Sequence, residues 1–278
     1  MITARNFPEY PWQSSEICIA QVTTVSNTSI ILGPHQRIAG AHGQSVAQDP
    51  SWTSFNTLHF VTDSDLSAER YCNPWIFTLE GDAQNPTKGE SVPISPVPIQ
   101  EEFGVPQWWL TRHGSGSIDQ YHIAFIAFRN SPVPVLYVTD LRSRSFREVH
   151  TPYSNIQYLH GNGRGKVVGL GQFADSPPEI FEVKIDLTGQ PVIRTIMGFG
   201  AQELPRDDIS HPQFLTLRLS PDDRPCYVTY LPPKNRDYDG GTPGERPPVV
   251  VWAHGGPFNM EPTYFSLDRQ FWTNRGWA

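Results

Sequence analysis

Cysteine is nearly missing from this chain: 278 residues contain only Cys18, Cys72 and Cys226, and no two of them form a Cys-x-x-Cys pair. That excludes a disulfide framework and a thiolate zinc site, and it points to a reducing, cytoplasmic setting. Long apolar runs are also missing. No stretch approaches the ~18 residues a membrane helix requires, and the opening MITARNFPEYPWQ has no apolar leader core. Either the protein is cytosolic or its own N-terminus lies upstream of this sequence. Positive charge is not in excess, since 21 Lys and Arg face 28 Asp and Glu for a net charge of −7, scattered without runs. A nucleic-acid surface needs a basic stripe, and there is none. The nine histidines include no His-Glu-x-x-His and no cluster with ligand spacing, so neither metal nor cofactor is expected.

What is present suffices for a packed core: 38% of residues are hydrophobic and 12% aromatic. Pro (27) and Gly (22) interrupt the first 200 residues so often that a long helix has no room. Between the breaks lie β-branched and aromatic runs that predict strands over 17–22, 57–62, 75–79, 122–128, 135–139, 166–170 and 180–185. Three stretches repeat one plan, an inner strand, a polar turn and an outer strand: TLHFVTD with NPWIFTLEGD, YHIAFIAFRN with VPVLYVTDL, and KVVGLGQFAD with PPEIFEVKIDL. The corresponding Ile76, Leu136 and Ile180 recur at intervals of roughly 60 and 44 residues, the longer one holding a Pro-rich insert. A four-stranded propeller blade has this period. SSEICIAQVTTVSN reads as the outer hairpin of one more blade, which makes about three and a half. A β-sandwich with irregular loops accounts for the same strands, but the repeated hairpin favours an incomplete β-propeller over residues 1–205.

The pattern changes after Met197. GFGAQELPRDDISHP reads as a connector, FLTLRLS and CYVTYLPP as a hairpin around PDDRP, and KNRDYDGGTPGERPP as a loop. Val249 to Ala253 is then a continuous apolar run, as in a strand buried on both faces of a parallel sheet. Beyond Pro262, the spacing of Tyr264, Phe265, Leu267, Phe271 and Trp272 predicts an amphipathic helix, with Gly276 as its stop. Strand, glycine turn and helix together begin an α/β unit over residues 206–278.

The turn itself is His254-Gly255-Gly256-Pro257. Paired glycines at a strand end bring backbone N–H groups close to a ligand, an arrangement that can stabilise an oxyanion. Elsewhere the glycine-rich stretches carry less. HGQSVA (42–47) lies in the propeller region, GSGS (114–117) has the composition of a hairpin loop, and HGNGRGKVVGLG (160–171) fits no phosphate-binding spacing and reads as a loop entering a strand. Asp207, Asp208, Asp222 and Asp223 read as solvated turns.

PPVVVWAHGGPFNMEPTYFSLDRQFWTNRGWA resembles the start of the catalytic domain in the prolyl oligopeptidase family of serine peptidases, in its acylaminoacyl peptidase and dipeptidyl aminopeptidase-like branch. YLPPKNRDY, DPSW, LHFVTD, FGVPQW and TPYSNI extend the likeness upstream. The resemblance implies a mainly β fold: part of a β-propeller, then the truncated beginning of an α/β-hydrolase domain. It implies hydrolysis of short peptides, with aminoacyl or acylaminoacyl release, by a Ser-Asp-His triad. By position, Gly256 is the oxyanion-hole donor, Gly255 permits the turn, and His254 and Pro257 are structural motif residues. The expected partner is a short peptide substrate, with homo-oligomers left open.

The order of an α/β-hydrolase triad is Ser, Asp or Glu, then His, all downstream of the glycine turn. This sequence holds no Gly-x-Ser-x-Gly. An oxyanion donor alone stabilises charge that another group must create. Three readings compete: a piece of a serine peptidase, a non-catalytic propeller that binds a peptide or protein partner, and a carboxylesterase-like hydrolase, against which the blades argue. A strand at 249–253 without its two usual neighbours predicts poor solubility or a disordered C-terminal quarter. The chain alone is expected to be inert: aminoacyl and N-acyl chromogenic substrates should not turn over, and a fluorophosphonate probe should label nothing. Specific labelling of any serine would overturn this expectation.

Overall fold

A computed structural model describes residues 2–4, 9–26, 29–64, 71–81, 87–105, 113–129, 131–161, 163–200, 204–238, 241–242, 244–255 and 259–278. They form short antiparallel sheets, one α-helix and a single 3-10 turn at Arg206–Asp208. β1 (Ile2–Ala4), β2 (Glu16–Ser26) and β3 (Ser29–Ala39) make a three-stranded sheet. Next come four-stranded sheets, each formed by strands consecutive in the chain. The first is β4 (Ala47–Trp52), β5 (Thr57–Thr62), β6 (Asn73–Leu79) and β7 (Gly89–Pro93); the second is β8 (Ser115–Ser117), β9 (His122–Phe128), β10 (Pro134–Asp140) and β11 (Ser145–Val149). The third is β12 (Asn155–Gly161), β13 (Val167–Gln172), β14 (Glu179–Ile185) and β15 (Pro191–Gly198). The predicted inner-then-outer hairpins are β5–β6, β9–β10 and β13–β14.

The residues group into two compact units. One comprises 1–151, 157–169 and 181–194; the other comprises 152–156, 170–180 and 195–278, so the division crosses the strands of the third four-stranded sheet.

In the first unit the core is built from strands covered on both sides. Along β5, Leu58 and Phe60 point into a cluster with Ile17, Ile19, Ala47 and Phe77. Val61, on the other face, joins Phe103, Ile123, Phe125 and Tyr137. Side chains alternate across a strand, so a strand buried throughout must have a neighbouring layer on each face. β9 behaves the same way, with Ile123 to Ala127 all buried. Phe125 is the hub of the second cluster, edge-on to Phe103 at 6.1 Å and to the His59 ring at 5.7 Å.

Of GSGS, expected as a hairpin loop, Ser115–Ser117 instead form β8, and all three residues are buried. Small side chains suit an edge strand that another backbone approaches closely. A Cβ on Gly116 would lie 3.0 Å from Gly161 N, and one on Gly161 would lie 2.2 Å from Ser117 O. Composition alone does not distinguish this role from a loop.

The second unit holds β16 (Gln213–Leu219) paired with β17 (Arg224–Tyr230), and the helix α1 (Leu267–Thr273). The hairpin matches the sequence reading; every residue of β16 is exposed. The apolar run at 249–253 does not form a strand. Val249, Val251 and Trp252 are exposed, and the two backbone bonds nearby are Val250 N to Ala278 O and Ala278 N to Pro248 O, each 2.8 Å. No neighbouring strand lies beside it among the described residues, and an apolar run without a ladder has nothing to hold it as a strand. The helix is shorter than predicted, because Tyr264 and Phe265 precede it. Leu267 and Phe271 are half-exposed, and the buried positions are Gln270 and Thr273. Gly276 does take a left-handed conformation (φ 84°) after the helix, as its reading as a stop required.

Removing Phe125 leaves a cavity ringed by aromatic side chains that cannot collapse onto one another. Phe125→Ala should cost about 3–5 kcal/mol in urea unfolding, while Phe55→Ala, at a 94% exposed position, should stay within about 0.5 kcal/mol. A loss below about 1 kcal/mol at Phe125 would contradict this account of the core.

Candidate functional site

The first two residues of the His-Gly-Gly-Pro motif lie on the exposed segment after Trp252. His254 and Gly255 are exposed, and a Cβ built on Gly255 meets nothing within 4 Å. Gly256 and Pro257 lie outside the described residues.

Downstream, the chain from Glu261 to Tyr264 is held by Arg269 and by Thr263 itself, whose Oγ1 donates to Ser154 O at 3.2 Å. Arg269, in α1, donates to Pro262 O at 2.7 Å and Tyr264 O at 3.4 Å, pairs with the Glu261 carboxylate, and lies 5.5 Å from the Tyr264 ring centroid. A guanidinium has five fixed donors, which suits it to satisfy several acceptors of a strand-free segment. The helix is itself pinned by a reciprocal pair: Ser210 N donates to Gln270 Oε1 at 2.8 Å, and Gln270 Nε2 donates to Ser210 O at 3.0 Å. Asp208, read as a solvated turn residue, is buried and accepts from Arg236 N at 2.8 Å. Asp207, Asp222 and Asp223 are exposed, as expected.

A second polar constellation, in the first unit, was not read from the sequence. Asp49, with a left-handed φ of 51° at an irregularity in the β4–β5 ladder, turns its carboxylate inward, where its side chain is 6% exposed. It accepts from His113 Nδ1 at 2.8 Å, Gly114 N at 3.0 Å and Ser115 Oγ at 2.7 Å. Ser115 Oγ also lies 3.1 Å from His59 Nε2, and His59 Nδ1 lies 2.8 Å from Thr53 Oγ1. The usable signal was Asp49-Pro50, a turn-former inside a strand phrase.

Ser, His and Asp are thus within hydrogen-bond reach of one another, but the order is wrong for acyl transfer. Ser115 gives its single proton to Asp49, so His59 must donate from Nε2 and has no lone pair there to act as base. His59 is also fully buried, and burial pushes its pKa down to about 4 against the pull of Asp49. This constellation is structural. Among the described residues, no group of three or more His, Cys, Asp or Glu is placed to hold a metal. Cys72 is buried, and desolvation raises its pKa well above that of a reactive thiol.

Small four-stranded antiparallel sheets, consecutive in the chain, define a β-propeller-like region. Known structures share it. A puromycin-hydrolyzing peptidase of Mycobacterium tuberculosis matches at 24% identity and TM-score 0.76, over 99% of this chain and 38% of its own. Puromycin hydrolase matches at 22% identity and TM-score 0.78, again over 99% and 38%. One of two prolyl endopeptidases analysed for inter-domain dynamics matches at 12% identity and TM-score 0.62, over 96% and 34%. The resemblance read from the sequence therefore holds at the level of fold: this is a propeller-like region of the prolyl oligopeptidase fold, spanning 38% of the length of the first two structures. No protein-family model and no curated protein matches the sequence. No helix among the described residues is long and apolar enough to cross a membrane.

The two linked histidines make opposite contributions to stability with pH. His59 has a folded pKa of about 4 against 6.5 unfolded, so the unfolded chain takes its proton first and stability falls as pH drops from about 6.5 towards 4. His113 is raised by its bond to Asp49, so its contribution is present at low pH and is lost as pH rises through its folded value. In urea titrations across this range, His59→Asn should flatten the acid-side loss relative to wild type. An unchanged slope would show that His59 is not the buried neutral group described.

Proposed function

We propose that this chain is the propeller and first hydrolase segment of a serine-type peptidase that acts in the cytoplasm on short peptides, releasing aminoacyl or acylaminoacyl groups. The observation that carries the reading is the match of nearly the whole chain, 99%, to the fold of a puromycin-hydrolyzing peptidase. The His-Gly-Gly-Pro turn supports it independently, through chemistry.

In this reading residues 206–278 begin an α/β-hydrolase domain, and Gly256 N–H is one donor of an oxyanion hole. Gly255 lets the backbone approach the substrate carbonyl, and His254 and Pro257 shape the turn. The nucleophile, acid and base belong to sequence beyond Ala278. The propeller restricts entry to short peptides, and the exposed faces of β16 and of 249–252 are covered by the rest of the hydrolase sheet.

The transcript downstream of the Ala278 codon tests the reading directly. A continuing frame with a strand and Gly-x-Ser-x-Gly is expected, and an immediate stop would sink it. In the longer polypeptide, Gly256→Pro removes the N–H and should lower kcat about 10²–10³-fold with little change in KM. A kcat within about threefold of wild type would remove Gly256 from the site.

A further inference from the structure

The β2–β3 hairpin changes character along its length. Its base is buried over Ile17 to Ile19 and anchored by Ser91 Oγ, which donates to Ile38 O at 2.6 Å. Beyond the base every residue from Gln21 to Ser26 on β2 and from Ser29 to Leu32 on β3 is exposed. Val22, Val25, Ile30, Ile31 and Leu32 are each more than half exposed. The register sets Val22 opposite Leu32 and Thr24 opposite Ile30 on one face of this arm, and Thr23 opposite Ile31 on the other. Five such side chains make an apolar patch on the order of several hundred Å², a size that marks an interaction surface.

The backbone of the arm is open too. β3 ends its sheet, so among the described residues no strand bonds to its outer edge. Such edges are ordinarily protected by charged side chains, proline or a short length. Here residues 17–36 contain no Asp, Glu, Lys or Arg, and the flanking Glu16 and Arg37 pair with each other at 2.8 Å. Pro34 has no N–H to give and stops a ladder near the base, which leaves Ser29 to Gly33 as the edge a further strand can join.

Charge selects what joins it. Two copies of a chain with net charge −7 repel each other in general, and on this arm they can meet with no charge on either side. A strongly acidic or basic partner finds nothing there to pair with. The edge is also self-complementary: an antiparallel pairing of β3 with β3 of a second copy, with its two-fold axis at Ile31, sets Ile30 of each copy opposite Leu32 of the other, and Ser29 opposite Gly33. We propose that the arm is a dimerisation surface, on which a second copy of this chain joins the outer edge of β3 to make one sheet running β2–β3–β3–β2 through both copies. The smallest specific interfaces bury roughly 1,000 Å² in total, and five aliphatic side chains with their strand edge from each copy supply an area of that order. The surface lies in the first unit and does not rest on the peptidase reading.

The test is sedimentation velocity of the 278-residue chain between about 1 and 100 µM, the range in which a small interface dissociates, with variants Ile31→Lys, Phe55→Lys and Val251→Lys. All three positions are exposed, so the lysine leaves the fold intact. Ile31→Lys sets two ammonium groups opposite each other at the axis and should weaken dimerisation about tenfold or more. Phe55→Lys, elsewhere in the first unit, and Val251→Lys, in the second, should dimerise as the wild type does. A cross-link decides the matter if the chain also associates through its second unit. In a Cys226→Ser background, with Cys18 and Cys72 buried, Ile31→Cys under oxidised glutathione should give a disulfide-linked band at twice 31.3 kDa, and Phe55→Cys should not. Directly opposed residues of paired strands lie within disulfide reach. Unchanged dimerisation of Ile31→Lys, or an Ile31→Cys chain that yields no cross-linked dimer, would overturn the proposal.

Discussion

The constraint on which this structure depends is the burial of β5 and β9 on both faces. A strand has a ladder partner on each side, but only a second layer above and below can remove every one of its side chains from water. Once Leu58 and Phe60 face one cluster and Val61 the other, adjacent sheets must pack face to face. This layering makes the chain propeller-like rather than a pair of sheets with one solvated side. It also explains why the hydrophobic material is concentrated in the middle strands, while the outer strands β7, β11 and β15 carry mixed and polar faces.

Packing of this kind leaves little tolerance for polar groups; among the described residues the buried polar side-chain atoms without a partner are Trp75 Nε1 and Glu101 Oε2, and the others are paired. His59, wholly buried among apolar side chains, is kept neutral and has Thr53 and Ser115 as partners. Asp49 is the anchor of that network, because its two oxygens satisfy a histidine, a hydroxyl and a backbone amide from the β8 side. A charge so enclosed is tolerated only when fully hydrogen-bonded. The same carboxylate holds His113 through its Nδ1.

The second unit follows the opposite rule. β16 is exposed along its whole length, and the apolar residues at 249–252 lie open, so their hydrophobicity is not met by packing among the described residues. Beside the β16–β17 ladder, order comes from polar pairs: Gln270 with Ser210, Arg236 with Asp208, and Arg269 with the carbonyls of Pro262 and Tyr264. These interactions are directional and short-range. They can fix a helix and a turn without fixing a sheet.

The sequence by itself determined the β class, the hairpins β5–β6, β9–β10, β13–β14 and β16–β17, and the glycine stop after α1. Each of these is governed by local chemistry: side-chain alternation, turn residues, and the left-handed freedom of Gly276. It also carried the resemblance to the peptidase fold through DPSW and the His-Gly-Gly-Pro turn. Tertiary structure alone decided the rest. Gly116, with Ser115 and Ser117 on either side, lies in a strand where a neighbouring backbone leaves little room for a side chain. Val249 to Ala253 stayed outside any sheet because a strand is made by its neighbours as much as by its own residues. Asp49, His59, His113 and Ser115 are separated by up to about 65 positions, and only the packing of β4 and β5 against the start of β8 brings their chemistry together.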